Sequence, residues 1–433
     1  MHDLTIHDFF TCNAEVSTVN GCVITAPLKH SFIGERCYLY HSSSATQPVG
    51  QAETIGIGRG EATLSLLGSP VGISSSNIVI PSGNIFTLSL DSSLLGCVVD
   101  SEGHVRQRLS DEVGLQPEFS ENRPITSPSP EFSERRPIKE VFATGIRVID
   151  GLLTCGVGQR VGIFAGAGAG KTSLMSMIVN HSNADVYVIG LVGERGREVS
   201  EFLLEGIPFD KRETTIVVYS TSDRPPVERR NAALVATTIA EYFRDQGNSV
   251  VLMIDSMTRY ARALRDIALS AGEMPARRGY PASVFEALPQ ILERSGATHH
   301  GSITAFYTVL LEEEDDVDPI GDEIRSILDG HIYLSRKLAG KGHFPAIDVL
   351  RSTSRVASSV CTPQFLQCAA KIRNYLSRLD EMQLMIDLGE YQHGENAAVD
   401  EIIDKREIID EFLKQPLNES TEFLNMAEML YAI

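Results

Sequence analysis

An apolar run, Arg160-Val161-Gly162-Ile163-Phe164, leads into Ala165-Gly166-Ala167-Gly168-Ala169-Gly170-Lys171-Thr172, and Ser173-Leu174-Met175-Ser176-Met177-Ile178-Val179 leads out of it. The order is strand, glycine-rich loop, helix start, and it limits the fold more than any other stretch of the chain. Glycines permit φ values and close backbone approach that side chains forbid, so the N–H groups of such a loop can wrap phosphate oxygens at the mouth of a helix. The segment reads as a P-loop, with Ala165 to Ser173 as nucleotide-binding residues. Lys171 reaches the β/γ-phosphates and the Thr172 hydroxyl holds Mg²⁺. Ala165 occupies the first position, where the usual pattern has glycine. The later glycines line the phosphate cradle, so the relaxed form is acceptable.

Apolar runs at 161–165, 186–192, 215–219, 250–254 and 302–307 read as strands, and 228–245 and 257–271 as helices between them. Strand–helix alternation around a P-loop predicts a mostly parallel sheet covered on both faces, with ligand at the carboxyl ends of the strands. Before this region, residues 12–90 hold short Val/Ile/Thr/Leu runs broken by Gly, Ser, Pro and Asn, the pattern of a small β-barrel or sandwich. After Thr362 the strands stop. Residues 365–388, 399–414 and 421–432 have helical periodicity and predict a small helical domain.

With 433 residues, the chain is too long for one simple core. A net charge of −19 disfavours nucleic acid as the main partner, because phosphate backbones require a basic surface. Seven cysteines, scattered and without a C-x-x-C pair, point away from zinc and from a disulfide framework and fit a reducing cytosol. Residues 1–10 have no basic n-region, and no apolar stretch approaches the roughly 20 residues of a membrane span. Membrane association is therefore expected only peripherally, through partners.

Several residues carry candidate chemistry. Val251-Leu252-Met253-Ile254-Asp255 is an apolar strand ending in an acid, the Walker B arrangement that holds Mg²⁺ through water. Gly193-Glu194-Arg195-Gly196-Arg197-Glu198 follows the strand at 186–192, and a carboxylate there can polarise the attacking water. Both Glu194 and Glu198 are available for that role; Glu194 leaves the strand directly, whereas Glu198 also suits a helix N-terminus. Arg355, in Ser352-Thr353-Ser354-Arg355-Val356, sits at the junction of the α/β and helical regions, where an arginine could reach a neighbouring subunit's γ-phosphate as a finger. The acidic run 312–318 reads as a solvated loop. Residues 110–138 are polar and Pro-rich and contain a tandem duplication, residues 117–125 returning as 130–138 with only Asn122/Arg135 different. Two copies are too few for a solenoid, and the repeat reads as a duplicated surface loop.

Taken jointly, the P-loop, Gly193–Glu198, Asp255-Ser256-Met257-Thr258-Arg259-Tyr260-Ala261-Arg262, Arg278-Gly279-Tyr280-Pro281-Ala282-Ser283-Val284-Phe285, Gly301–Tyr307 and Ser354-Arg355 resemble the type III secretion ATPase family. Its relatives are the flagellar export ATPase and the catalytic β-subunits of rotary ATP synthases. The resemblance is strong over 139–395. The segments 221–238 and 334–348 resemble injectisome members more than flagellar ones. The segment 100–105, glycine-rich in the family, is not so here.

The resemblance implies an α/β fold with a RecA-like P-loop core, an N-terminal β-barrel oligomerisation domain and a C-terminal α-helical domain, expected at residues 91–355, 1–90 and 356–433. It implies an ATP- and Mg²⁺-dependent ATPase in which Glu194 is the catalytic carboxylate, Arg195 lies near the γ-phosphate, Asp255 and Thr172 serve the metal, and Arg355 is given to the next subunit. Phe344 and Tyr391 match positions that flank adenine. The implied assembly is a cytoplasmic homohexamer, peripheral to the inner membrane. Its implied partners are a central stalk protein, a peripheral stator protein, chaperone–effector complexes and the export gate, with no nucleic acid. Three other readings share part of the pattern: flagellar export, a non-catalytic nucleotide-binding ring subunit, which would lack the strand-end Glu194, and a RecA-like nucleic-acid motor.

Overall fold

The structure, a computed structural model, describes residues 13–43, 45–58, 60–110, 120–312, 318–388, 391, 393–394 and 396–433. Seven strands form the N-terminal unit: Ala14–Glu15, Thr18–Asn20, Val23–Ala26, Glu35–Tyr40, Gly50–Gly58, Glu61–Leu67 and Ile78–Ile85. Their sheet places Ala14–Glu15 at one edge and Thr18–Asn20 at the other. Only Val16 and Ser17 lie between these two strands, so the chain itself bridges the edges of a barrel-like sheet. Val16 N donates to Asn77 O at 3.0 Å and Ser17 N to Thr25 O at 2.7 Å, which bonds the crossing to both sides. Bridged edges offer no template for stray strand pairing. Alternate residues turn inward, and Ile24, Leu39, Leu64, Leu66 and Val79 fill the interior. Two polar contacts fasten this unit to the helix Pro226–Asp245: Arg230 Nη2 to Glu53 Oε2 at 2.5 Å, and Gly68 N to Glu228 Oε1 at 2.6 Å.

The central sheet runs Val105–Arg108, Cys97–Asp100, Thr215–Thr221, Val186–Glu194, Ser249–Asp255, Ser302–Leu310, Arg160–Ala165, Gly330–Leu334, Ile347–Ser354, with Gly296–Ala297 pairing off Ser302–Leu310. From Cys97–Asp100 to Gly330–Leu334 every adjacent pair is parallel. All nine residues of Val186–Glu194 are buried, as expected of a strand covered on both faces. One face packs against Lys171–His181 and the C-terminal helices, the other against Pro226–Asp245, Met257–Ser270 and Ala282–Leu292. The α/β architecture expected from the alternating pattern is present, and the strands outlast their apolar runs by one to three residues.

The segment 100–105 makes a hairpin turn. Asp100 Oδ1 accepts the N–H groups of Glu102 and His104 at 2.9 and 3.0 Å. Gly103 there has φ +84°, and a Cβ would lie 2.4 Å from Leu88 Cδ2. Within the duplication, residues 117–119 lie outside the described residues. The rest of the first copy contributes Glu121–Pro124, which pairs with Thr87–Leu90. In the second copy Arg135 donates to Glu293 O at 2.6 Å and pairs with Glu293 Oε2 at 3.1 Å. The one residue that differs between the copies therefore makes contacts that the shorter Asn122 side chain has no guanidinium to make.

The C-terminal part holds Pro363–Asp387, Ala397–Asp404, Arg406–Leu413 and Phe423–Ala432. The single helix expected at 399–414 is divided at Lys405. Of the acidic run, 313–317 lies outside the described residues. Glu312 pairs with Arg262 at 3.0 Å, and Asp318 caps Pro319–Ile327 by accepting from Ile320 N and Gly321 N at 3.2 Å each. Residues 1–10 also lie outside the description, and among the described residues no helix is long and apolar enough to cross a membrane. The six described cysteines are free thiols.

Candidate active site

The P-loop strand Arg160–Ala165 ends between two parallel neighbours, Ala165 lying opposite Leu310 and Leu334. Ala165 is a buried strand residue without positive φ, which explains why alanine serves where the pattern has glycine. The glycines that matter conformationally come later: Gly168 has φ +79° and Gly170 φ +89°, the latter capping the helix Lys171–His181. Gly166 and Ala169 are buried, while Ala167 and Gly168 form the exposed tip. A Cβ on Gly166 would meet the Arg336 guanidinium at 2.5 Å, so that side chain lies directly against the loop. Thr172 is exposed and Ser173 half-buried in the first turn of the helix.

Two strand ends converge on this loop. Asp255 closes Ser249–Asp255, is 5% exposed, and its Oδ1 accepts the Thr308 hydroxyl at 2.7 Å. Glu194 closes Val186–Glu194 and is 4% exposed. The ladder slips between Val192 and Glu194, where Gly193 adopts φ +64°. That bulge re-aims the Glu194 side chain, a common use of a glycine bulge beside a functional site. Lys171 Nζ donates to Asp255 Oδ1 and lies 3.5 Å from Glu194 Oε1. Arg259 Nη1 pairs with Glu194 Oε2 at 2.9 Å and donates to Gly193 O.

The two glutamates left open by the sequence take different positions. Burial, then the adjoining Glu198 carboxyl and Asp255, push the Glu194 carboxyl up to about 7, against Lys171 and Arg259. Glu198, joined to Glu194 and facing Arg195, is held below the usual carboxylate range. A buried carboxyl that titrates near neutrality is the stronger base of the two, whereas Glu198, held more acidic, is the weaker. Arg195 does not reach into this cluster: its side chain is 75% exposed and pairs with Glu198 at 3.2 Å.

The donor set fits a divalent cation. Thr172 presents an exposed hydroxyl, and both contacts made by Asp255 use Oδ1, leaving Oδ2 without a hydrogen bond among the described residues. One hydroxyl and one carboxylate, completed by phosphate oxygens and water, is the arrangement Mg²⁺ takes at phosphate sites.

The expected adenine residues separate. Phe344 stands beside the loop, its ring Cε1 3.6 Å from where a Gly170 Cβ would be, and is 42% exposed. The Tyr391 hydroxyl instead donates to Asp400 Oδ1 at 2.7 Å and Asn396 O at 3.1 Å. Leu417 and Asn418 are the C-terminal residues that line a 330 Å³ cleft with Thr172, Ser173 and Glu198.

Arg355 lies far from its own loop. Ser354 is opposite Gly330, itself opposite Val161 at the start of the P-loop strand, while Ile347 is opposite Leu334 and so level with Ala165. Arg355 thus sits at the amino ends of the parallel strands, about 13 Å from Ala165 along them at roughly 3.3 Å per residue. It is exposed and has no carboxylate partner among the described residues.

Sequence reasoning assigned no role to Arg259. Asp255-Ser256-Met257-Thr258-Arg259 placed it one turn beyond the acid, but Arg262 and Arg265 share its helix, and spacing alone does not separate the three.

Residues 145–354 match the ATP synthase alpha/beta family nucleotide-binding domain, and residues 361–432 the C-terminal domain of the type III secretion ATPase EscN. The SPI-1 type 3 secretion system ATPase of Salmonella typhi is 52% identical over 405 residues, 94% of this chain and 93% of that protein. The flagellum-specific ATP synthase of Bacillus subtilis is 43% identical, over 95% and 93%. Among solved structures, the assembled ATPase EscN from enteropathogenic E. coli matches with a TM-score of 0.90 at 42% identity, covering 97% of this chain and 99% of that one. EscN in complex with its central stalk EscO matches with a TM-score of 0.86 over the same shares. The chain belongs to the type III secretion system ATPase family and is an ATPase of that family.

Proposed function

We propose that this ATPase hydrolyses ATP by in-line attack of water on the γ-phosphate, at sites each shared between two subunits of a ring. The observation that carries the reading is the split between a buried Lys171–Glu194–Asp255 cluster and an exposed Arg355 at the other end of the strands. Loop N–H groups from Ala165 to Ser173 and Lys171 bind the phosphates. Glu194 accepts the proton of the attacking water, and Arg259 holds that carboxylate in place. Thr172 and Asp255 would hold Mg²⁺, which would supply screening of the phosphate charge. Arg355 of a neighbouring copy stabilises the charge that develops in the transition state. Arg195, on the exposed lip, approaches the γ-phosphate only if it leaves Glu198. Phe344 stacks on adenine; Tyr391, bonded within the helical region, is the weaker of the two assignments.

A finger given in trans needs a head-to-tail interface, which closes into a ring by rotation. The assembled state and the stalk complex of EscN support a homohexamer around a central stalk protein. By the same kinship we assign a peripheral stator protein, chaperone–effector complexes and the export gate as partners, with work at the cytoplasmic face of the inner membrane.

The test is Mg²⁺-dependent phosphate release against protein concentration, beside Glu194→Gln and Arg355→Ala. Specific activity should rise with concentration, and both variants should be nearly inactive while still binding ATP. Activity independent of concentration and untouched by Arg355→Ala would overturn the shared site.

A further inference from the structure

Gln415 lies in the connection between the last two helices and is 2% exposed. Its side-chain amide is fully engaged. Oε1 accepts Arg147 N at 2.8 Å, and Nε2 donates to Gly145 O at 2.8 Å and Glu419 O at 2.6 Å. Its backbone N–H reaches a third segment, donating to Phe344 O at 2.9 Å. Gly145 and Arg147 belong to the start of the nucleotide-binding region, and Phe344 stands at the P-loop. One buried amide therefore fixes residue 415 to the core, and residue 415 fixes the carbonyl of Phe344.

We infer that Gln415 is a positioning residue for the nucleotide base. It sets where the Phe344 ring stands over Gly170, and through that ring it sets ATP affinity and base preference without touching the nucleotide. Phe344 is nearly half exposed, so packing alone does not hold it, whereas a satisfied buried hydrogen bond to its backbone does. Gln415 shares the course of the connection with Arg147. Arg147 independently bonds Phe412 O at 3.3 Å and Glu411 O at 3.4 Å, and also Lys414 O and Glu419. Lys414 O and Gln415 N belong to one peptide, so loss of the amide leaves the turn held by Arg147 and loosens, without releasing, the tether to Phe344.

The inference rests on the placement of Phe344 beside adenine, and a double-mutant cycle separates the two. Full-length protein, at concentrations where specific activity has levelled off, is assayed with ATP and GTP as wild type, Gln415→Ala, Phe344→Ala and the double variant. Gln415→Met, which keeps the length without the hydrogen bonds, replaces Gln415→Ala if the latter fails to fold. Gln415→Ala should raise KM for ATP about fivefold, the scale of one weakened hydrogen bond. It should narrow the ATP/GTP ratio and leave kcat within about twofold. Added to Phe344→Ala, it should raise KM less than about twofold further, because the ring through which it acts is gone. If Phe344→Ala leaves KM unchanged, the adenine placement fails and this inference with it. If Phe344→Ala raises KM but Gln415→Ala does not, or lowers kcat alone, or multiplies with Phe344→Ala, the positioning role is overturned while the adenine placement stands.

Discussion

Two inactive variants, mixed, should make an active enzyme. Glu194→Gln keeps Arg355 and loses the base; Arg355→Ala keeps the base and loses the finger. Within one subunit neither defect can be covered, because Arg355 is set about 13 Å below Ala165 along the strands and two strands to the side, beyond reach of its own phosphates. Across a head-to-tail interface, an Arg355→Ala subunit can receive the intact finger of a Glu194→Gln neighbour. Arginine fingers contribute about 10³- to 10⁵-fold in kcat, so each variant alone should fall by roughly that range. In rings assembled at random from equal parts, about a quarter of the interfaces pair an intact Glu194 with an intact Arg355, setting the ceiling for recovered activity when sites act independently. The assay is steady-state phosphate release after co-expression of the two variants with different tags and purification through both. Activity well above the sum of the parents is expected. A doubly tagged ring no more active than its parents would refute the division of the site between subunits.

Two further outcomes follow from named contacts. Because burial, Glu198 and Asp255 push Glu194 up to about 7, and a base acts only when deprotonated, kcat/KM should climb as pH rises through about 7 and level off above it. A pH–rate profile whose ascending limb lies in the ordinary carboxylate range would contradict this. Arg294 and Glu241 form a buried two-point pair, at 2.8 and 2.5 Å, so Glu241→Ala should destabilise the core by about 3–5 kcal/mol by leaving the guanidinium charge uncompensated. Denaturant unfolding that shows a loss below about 1 kcal/mol would mean Ile125 O and Thr238 Oγ1, at 2.7 and 2.9 Å, suffice for that charge.

The central sheet was legible because buried parallel strands leave continuous apolar runs, and the loop because glycines mark φ values no other residue takes easily. Asp255 and Glu194 could be read as strand-end acids for the same reason. Their mutual arrangement could not be read. The slip at Gly193 that turns Glu194 inward depends on a ladder with Thr215–Thr221, more than twenty residues on. Arg259 was hidden among arginines at similar spacing, since only the fold decides which of them meets a buried carboxylate. The barrel was visible as short strands between turns, but its closure through Val16 and Ser17 rests on long-range pairing. The hairpin at 97–108 was not read as a pair of strands, since its second strand, Val105–Arg108, is exposed at every position and shows no apolar alternation. Lys405 divides a helix whose apolar period continues past it, and periodicity does not register a break of one residue.

The loop lysine does not wait as a bare positive charge. Lys171 stands against both Asp255 and Glu194, and Arg259 against Glu194. A cradle whose cations already face carboxylates gives an arriving triphosphate less net attraction than free cations would, and its acid side repels the anion. Stray phosphate or a polyanion without a counter-ion meets that repulsion in full. A nucleotide bringing its own divalent cation would not, since Asp255 would hold the cation and Lys171 would then be free to pair with the phosphates. On the proposed reading, the site would favour the chelate over the naked anion by ion pairing alone.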